Sequence, residues 1–336
     1  MDTKRLILFV IFSFSLMLLW DSFQKQNIPV EQPKNVDLSL PEPSNDLVAS
    51  NDLPKSSNQF ELGSGESIEV KTDLLELTIN TVGGDIRQLS FKKHLAKDSK
   101  NNYELMTDIS NSGNKFLFYV AQTGLLGTKL PTHKSLFQSN QKSYQMDSNK
   151  LIVPLVFENE NVIVKKTYEF NQGSYLVKTI FEIQNKTNNI LKPSAYYQFV
   201  HDGKSGEATA MMPTFTGPAF FTEKEKFDKL DFSDVNKEAF SKITDNGWIG
   251  IIQPYFAATW ILPADLSREF YTKKIAENIY SVGVLTKLKD IPGGQNSIFS
   301  TTLFAGPQAK EELNKAALGM NYVVDYGILH FIAAPL

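Results

Sequence analysis

The chain has 336 residues, a formal net charge of −3 and no cysteine. Its length allows one large or two medium-sized domains. A near-neutral charge argues against binding along a nucleic-acid backbone, which needs a concentrated basic face, so we expect no nucleic-acid partner. The absence of cysteine excludes disulfides, thiolate zinc sites, a cysteine nucleophile and a lipid-modified N-terminal cysteine.

The first two dozen residues predict a membrane-spanning helix. No charged residue lies between Leu6 and Trp20, and Lys4 and Arg5 precede that run. A helix over Leu6–Phe23 is about 27 Å long, close to the ~30 Å of a bilayer's hydrocarbon core. The basic pair favours a cytoplasmic N-terminus, which places the remainder on the far side of the membrane. The predicted anchor residues are Leu6, Phe9, Phe12, Leu16, Leu19 and Trp20.

A cleavable signal peptide is the alternative interpretation of this stretch. The charged start fits it, but Leu19, Trp20, Asp21 and Phe23 are not the run of small residues that a cleavage site needs. Both interpretations export the bulk of the chain.

Residues 25–67 predict a flexible linker between the membrane and a folded domain. They contain five prolines and many Asn, Ser, Asp and Glu residues, without apolar periodicity. Such a composition buries too little apolar surface to offset the entropy of ordering.

From Ile68 onward the pattern predicts an all-β domain over residues 68–305. Leu75, Leu77 and Ile79 alternate with polar residues, and a turn at residues 83–85 leads into a returning strand. We expect a hairpin of Val162–Phe170 with Tyr175–Gln184. Many short strands separated by Gly, Asn and Pro indicate an antiparallel sandwich. The further predicted strands are Ile86–Phe91, Phe116–Gln122, Leu151–Phe157, Ala195–Val200, Trp248–Gln253, Phe256–Leu262, Tyr280–Leu285 and Ser297–Phe304.

Two polar, weakly periodic stretches interrupt the strands, and helical periodicity follows them. Lys92–Ser112 and Phe221–Lys242 predict long loops with short helical turns at the edge of the sandwich. Pro307–Met320 predicts a helix that docks on the sandwich within residues 306–321, because proline suits a helix start and Gly319 suits a helix end. Its apolar face is formed by Ala309, Leu313, Ala316, Ala317 and Met320.

The final residues, 322–336, predict an amphipathic segment at the membrane surface. Ile328–Leu336 is apolar except for His330 and is too short to span a bilayer. Tyr326, His330 and Phe331 are typical of the headgroup boundary. We expect the chain to be part of a longer protein.

No pattern in the sequence predicts a catalytic, metal or cofactor site. The four histidines lack metal-binding spacing. His201-Asp202 is compatible with a general base, but the following Gly203 favours a polar turn. The aromatic residues Trp248, Tyr255, Phe256 and Trp260 are compatible with sugar stacking, but aromatic residues more often fill a core.

Several stretches of the chain resemble one family, the Gram-negative YidC membrane protein insertases. The resemblance covers essentially the whole chain in order, and its last two stretches are the most specific. The stretches are MDTKRLILFVIFSFSLMLLW, VKTDLLELTINTVGGDI, YVAQTGLLG, FTGPAFFTEKEKFDKLDF, GWIGIIQPYFAATWILP and VDYGILHFIAAPL.

The resemblance implies a fold and a function. The fold is a galactose-mutarotase-like β-supersandwich in the periplasm, and the function is insertion and folding of nascent inner-membrane proteins, alone or with the Sec translocon. The family's five further transmembrane helices hold a polar groove with an arginine; this chain stops before them, so we expect no insertion by this part alone. An edge of the periplasmic domain is implied to contact the SecD/SecF subunits.

The resemblance also assigns roles to segments near the end of the chain. Leu313, Ala317 and Met320 match the helix that couples the domain to the membrane core. Tyr326, Ile328, Leu329, Phe331 and Ile332 match the interfacial helix that leads to that core, in contact with the lipid bilayer. A mutarotase-like fold does not transfer sugar chemistry.

Two other functions remain open from the sequence. One is a membrane-tethered periplasmic module that binds or modifies carbohydrate, motivated by the sandwich and the aromatic residues. The other is a scaffold that contacts translocon subunits without a membrane bundle of its own.

Overall fold

The computed structural model describes residues 40–41, 62–96, 100–108, 118–204, 215–264 and 266–324. These belong to one unit, Asp37–Leu336. All predicted anchor residues and all predicted interfacial residues lie outside the described residues. Within the ranges described, no helix is both long and apolar enough to cross a bilayer.

The described backbone consists almost entirely of strands. They are β1 (Ser67–Lys71), β2 (Leu75–Asn80), β3 (Asp85–Leu95), β4 (Asn102–Met106), β5 (Tyr119–Leu126), β6 (Ser143–Gln145), β7 (Lys150–Glu158), β8 (Val162–Asn171), β9 (Leu176–Asn185), β10 (Ser194–His201), β11 (Gly217–Thr222), β12 (Lys226–Lys229), β13 (Phe240–Thr244), β14 (Trp248–Gln253), β15 (Phe256–Ile261), β16 (Arg268–Ala276), β17 (Ile279–Lys287) and β18 (Asn296–Pro307). The helices are α1 (Phe232–Val235), α2 (Lys310–Ala316) and a 3₁₀ helix (Met320–Val323).

The strands form two sheets. Sheet 1 has ten strands in the order β13-β16-β17-β10-β5-β3-β2-β1-β6, with β4 paired to β3. Sheet 2 has eight strands in the order β12-β11-β14-β15-β18-β9-β8-β7. Among the described strands, neighbours run antiparallel except for the parallel pair β1–β6.

The main core lies between the two sheets and is rich in aromatic rings. Trp260 of β15 contacts Tyr197 and Phe199 of β10, with ring centroids 5.3 and 5.5 Å apart. At another point Phe256 stacks on Phe91 of β3 at 4.8 Å. Rings from both sheets are therefore buried against each other, and the predicted all-β sandwich is confirmed.

The predicted strands are largely confirmed, and the two predicted loops are wrong in part. The β8–β9 hairpin forms as expected, and β14 has the predicted limits. The Lys92–Ser112 stretch continues β3 and contains β4, while Phe221–Lys242 contains the end of β11, β12, the short helix α1 and the start of β13. Strands β12 and β13 are the outermost strands of their sheets, and their side chains alternate between exposed and half-buried, with none fully buried. Their polar composition therefore hides the strand pattern.

The predicted helix start at Pro307 is also wrong. Pro307 is the last residue of β18 and is paired with Phe256, and the helix covers only Lys310–Ala316. Proline lacks the N–H that a central ladder position needs, but the end of a strand tolerates it.

A buried lysine lies in the core face of β8. Alternate residues of this strand point inward, and Lys166 occupies one of these positions with no exposed surface. Its Nζ donates hydrogen bonds of 2.8 and 2.9 Å to the carbonyl oxygens of Gly83 and Gly84. Desolvation lowers the pKa of Lys166 and raises that of the nearby buried Asp85. The lysine thus ties the β2–β3 turn of sheet 1 to sheet 2.

We expect Lys166→Met to lower the free energy of unfolding by about 3 kcal/mol, because it removes the donor to the buried carbonyls of Gly83 and Gly84 and a positive charge close to the buried Asp85. Urea unfolding followed by tryptophan fluorescence measures this loss. Lys165→Met is the matched control, since Lys165 is half-exposed and pairs with Glu182 at 3.0 Å on the surface. We expect the control to change stability by less than about 0.5 kcal/mol. Equal effects of the two substitutions would contradict a structural role for Lys166.

Candidate functional site

The predicted aromatic cluster is part of the packed interior. Trp248, Phe256 and Trp260 are buried, with at most 6% exposure, and only Tyr255 is exposed. The core interpretation is confirmed for the three buried rings, because no ring face among them is open to a sugar.

The His201-Asp202 pair forms a polar turn. The Gly203 N–H donates to Nδ1 of His201 at 2.9 Å, and the Lys204 N–H donates to the Asp202 carboxylate at 3.1 Å. Nδ1 of His201 is therefore an acceptor and carries no proton. Burial lowers the pKa of His201 to about 3. This geometry favours the turn interpretation, since a buried imidazole with an occupied Nδ1 is poorly placed as a general base. Across the described ranges, no three His, Asp or Glu side chains come together as a metal site.

The segment that follows the last strand, residues 308–324, is the candidate functional site; we call it the C-terminal segment. In β15 Trp260 points toward sheet 1, so its neighbour Thr259 points to the outer face of sheet 2. Thr259 Oγ1 lies 3.6 Å from Sδ of Met320. Because Trp248 is paired with Ile261, it shares this outer face, and its Nε1 donates to the Leu318 carbonyl at 3.1 Å. The C-terminal segment is therefore a third layer on sheet 2.

The segment is fixed at its start by a glutamine. The Gln308 N–H donates to the Tyr255 carbonyl at 2.8 Å. Its side-chain Nε2 donates to the carbonyls of Gln253 at 2.8 Å and Phe256 at 3.2 Å. Gln308 thus holds the β14–β15 turn, in which Tyr255 has a left-handed backbone with φ of 70°.

The segment is fixed at its end by close packing. Gly319 has φ of 78°, a conformation that favours glycine. A Cβ at Gly319 would lie 2.4 Å from the ring of Phe221. Tyr322 stacks on the same Phe221 ring at 6.1 Å.

The three predicted coupling residues are in this layer. Leu313 and Met320 are fully buried, and Ala317 is half-buried and packs on the main core. Val323 is also fully buried. The partners Trp248 and Phe221, and the role of Gln308, were not predicted. Helical periodicity shows which face is apolar but not which sheet receives it.

A family model and full-length relatives identify the same family. Residues 67–336 match the family model described as the YidC periplasmic domain. The membrane protein insertase YidC of Methylobacillus flagellatus is 44% identical over 349 residues, which is 100% of this chain and 62% of that protein. The protein of the same name from Nitrosospira multiformis is 36% identical over 367 residues, covering 100% and 63%. The chain thus spans a little over three fifths of these relatives' length.

Among solved structures, a galactose mutarotase-like protein from Lactobacillus casei is similar at 10% identity with a TM-score of 0.47. It covers 71% of this chain and 99% of its own.

We expect Gly319→Ala to loosen the C-terminal segment, because the new methyl group displaces Phe221. Gly173→Ala is the matched control, since Gly173 has φ of 71° and a Cβ at this glycine would meet no atom within 4 Å. Both substitutions incur left-handed strain of about 1 kcal/mol, and the clash adds roughly 2 kcal/mol at Gly319 only. Amide hydrogen exchange of residues 320–323 measures the loosening. Unchanged exchange in Gly319→Ala would contradict the tight packing.

We expect the imidazole of His201 to stay neutral between about pH 7.5 and about pH 5, where an unperturbed histidine gains its proton. Burial excludes the charged form. The Hε1 resonance of His201 in an NMR titration tests this. An inflection within that range, absent in His201→Gln, would contradict the buried neutral state.

Proposed function

The chain belongs to the YidC membrane protein insertase family, and on this premise we propose that it is the N-terminal and periplasmic part of an insertase. The proposed activity is to aid insertion and folding of nascent inner-membrane proteins, alone or with the Sec translocon. The observation that carries the proposal is the 44% identity to a named insertase over all of this chain. No covalent step is involved, so the proposal is of a protein that is not an enzyme and needs no cofactor.

The proposed organisation follows the chain. Residues 1–24 anchor it in the inner membrane, and residues 25–67 link the anchor to the periplasmic sandwich of residues 68–305. Residues 306–321 couple that sandwich to the segment 322–336, whose first residues pack on sheet 2 and whose remainder is proposed to lie on the bilayer surface and lead to the membrane core. The fixed position of the C-terminal segment supports this order, because a tightly packed layer gives the following residues a defined starting point.

The proposed physical role of this part is orientation and contact. Insertion requires that polar groups enter lipid, where each unsatisfied backbone group costs several kcal/mol. Because the C-terminal segment is packed on sheet 2, the sandwich holds the following surface-lying segment in place while the membrane core lowers that cost. One edge of the sandwich is the proposed contact for SecD/SecF-type subunits.

A chimera tests the proposed function. This chain is joined to the remaining C-terminal part of the Methylobacillus flagellatus relative and expressed in cells depleted of their own insertase. We expect the chimera to restore growth and insertion of a client with two transmembrane spans, while neither part does so alone. A chimera that reaches the membrane at normal abundance and restores nothing would contradict the proposal.

We expect Ile328→Asp or Phe331→Asp in the same chimera to reduce client insertion several-fold, because a charge opposes burial of this segment at the acyl boundary. Protease protection of the client measures insertion. Ile190→Asp is the matched control, since Ile190 is 62% exposed on the sandwich, and we expect no loss. Full restoration of growth by both segment variants would contradict the interfacial role.

A further inference from the structure

The outer face of sheet 1 has an apolar pocket that is filled by a residue of the predicted linker. Leu40 has no exposed surface and packs with four residues from β5, β10, β16 and β17. Those residues are Leu126, Tyr196, Tyr271 and Leu285. Burying a leucine side chain contributes about 2 kcal/mol. This contact was not predicted, because the linker's composition carries no apolar periodicity.

The pocket also binds the backbone of the linker. Lys273 lies on β16 beside the pocket, and its Nζ donates to the Leu40 carbonyl at 2.5 Å. The following Pro41 is buried as well. A backbone contact beside a filled side-chain pocket sets both the position and the direction of the chain at this point.

A second contact lies farther along the linker on the same face. Leu62 packs on a separate apolar cluster that includes Val120 and Val200. The Gly63 carbonyl accepts a hydrogen bond of 3.4 Å from Nη2 of Arg87. Residues just before β1 thus run against sheet 1.

The two contacts lie on the same four strands of sheet 1, β5, β10, β16 and β17. Tyr196 at the first contact and Val200 at the second are four residues apart on β10, which is about 13 Å along a strand. A free chain of the intervening length has a root-mean-square span of roughly 25 Å. Leu40 and Leu62 are therefore both held on the outer face of sheet 1, along the same strands.

We propose that the outer face of sheet 1 is a docking site for the chain's own linker, with Leu40 as its anchoring side chain. Docking divides the 43-residue linker 25–67 and leaves only residues 25–39 between the predicted membrane helix and the first fixed point. The greatest possible reach of that connection falls from about 145 Å to about 50 Å. The shorter reach from the membrane rests on the proposed membrane anchor of residues 1–24, whereas the contact at Leu40 does not.

Cysteine labelling tests the contact cleanly, because the chain has no cysteine of its own. Leu40→Cys and the control Leu95→Cys, which is 60% exposed, are made in the full chain and treated with a maleimide in native membranes. We expect Leu40→Cys to react at least tenfold more slowly, with equal rates after denaturation. Rates within threefold of each other in native membranes would overturn the proposal. If Leu40→Cys is slow in purified protein but fast in membranes, another molecule occupies the pocket there, which also overturns it.

A second pair of variants, both in the Leu40→Cys background, tests the contact without any further change to the packed side chain. Lys273→Met in the Leu40→Cys background removes the donor to the Leu40 carbonyl, and we expect labelling several-fold faster. Lys274→Met is the matched control, since Lys274 is the exposed neighbour on the same strand. Equal rates in the two double variants would overturn the role of Lys273. Client insertion by the chimera is a separate readout, so failure of the docking proposal and failure of the insertase proposal are distinguishable.

Discussion

The fold depends on burial of both faces of sheet 2 where β14 and β15 meet the C-terminal segment. Trp260 packs inward on sheet 1, while Trp248 on the opposite face packs under the residues that follow the last strand. A strand buried on both faces needs apolar residues at nearly every position, rather than at alternate ones. The run WIGIIQ of β14 has that composition. The same residues that build the sandwich therefore also build the receiving surface for the segment.

The buried lysine shows how a charge is accommodated in such a core. Lys166 is placed where an apolar residue would fit the strand pattern, and it instead satisfies two carbonyls of a turn whose glycines both have positive φ. Without a donor, inward-pointing carbonyls would be costly in that position. The lysine and the glycine turn thus form one unit that joins the two sheets.

The sequence predicted the central part of the fold well, because central strands combine burial with clear turn residues. The limits of β14 and the β8–β9 hairpin follow from local patterns alone. Edge strands β12 and β13 were missed because exposed strands need no apolar face. Lys166 left a readable signal, a charge in the inward register of β8, but the partner that satisfies it is more than 80 residues away. Likewise Leu40 is one apolar residue in a polar, proline-containing stretch, and only the assembled pocket shows that it is buried.

The C-terminal segment and the linker differ in how strongly they are held on the sandwich, and the difference indicates which contact would open first. The C-terminal segment buries Leu313, Met320 and Val323 completely and adds the bonds of Gln308 and Trp248. The described linker contact at Leu40 consists of the buried Leu40 and Pro41 and one lysine hydrogen bond. Local opening is drawn from regions with few buried apolar contacts. The C-terminal segment is therefore held on the sandwich more firmly than the linker is held at Leu40. The Leu40 contact can open, and the free part of the linker lengthen, while the C-terminal segment stays in place on sheet 2.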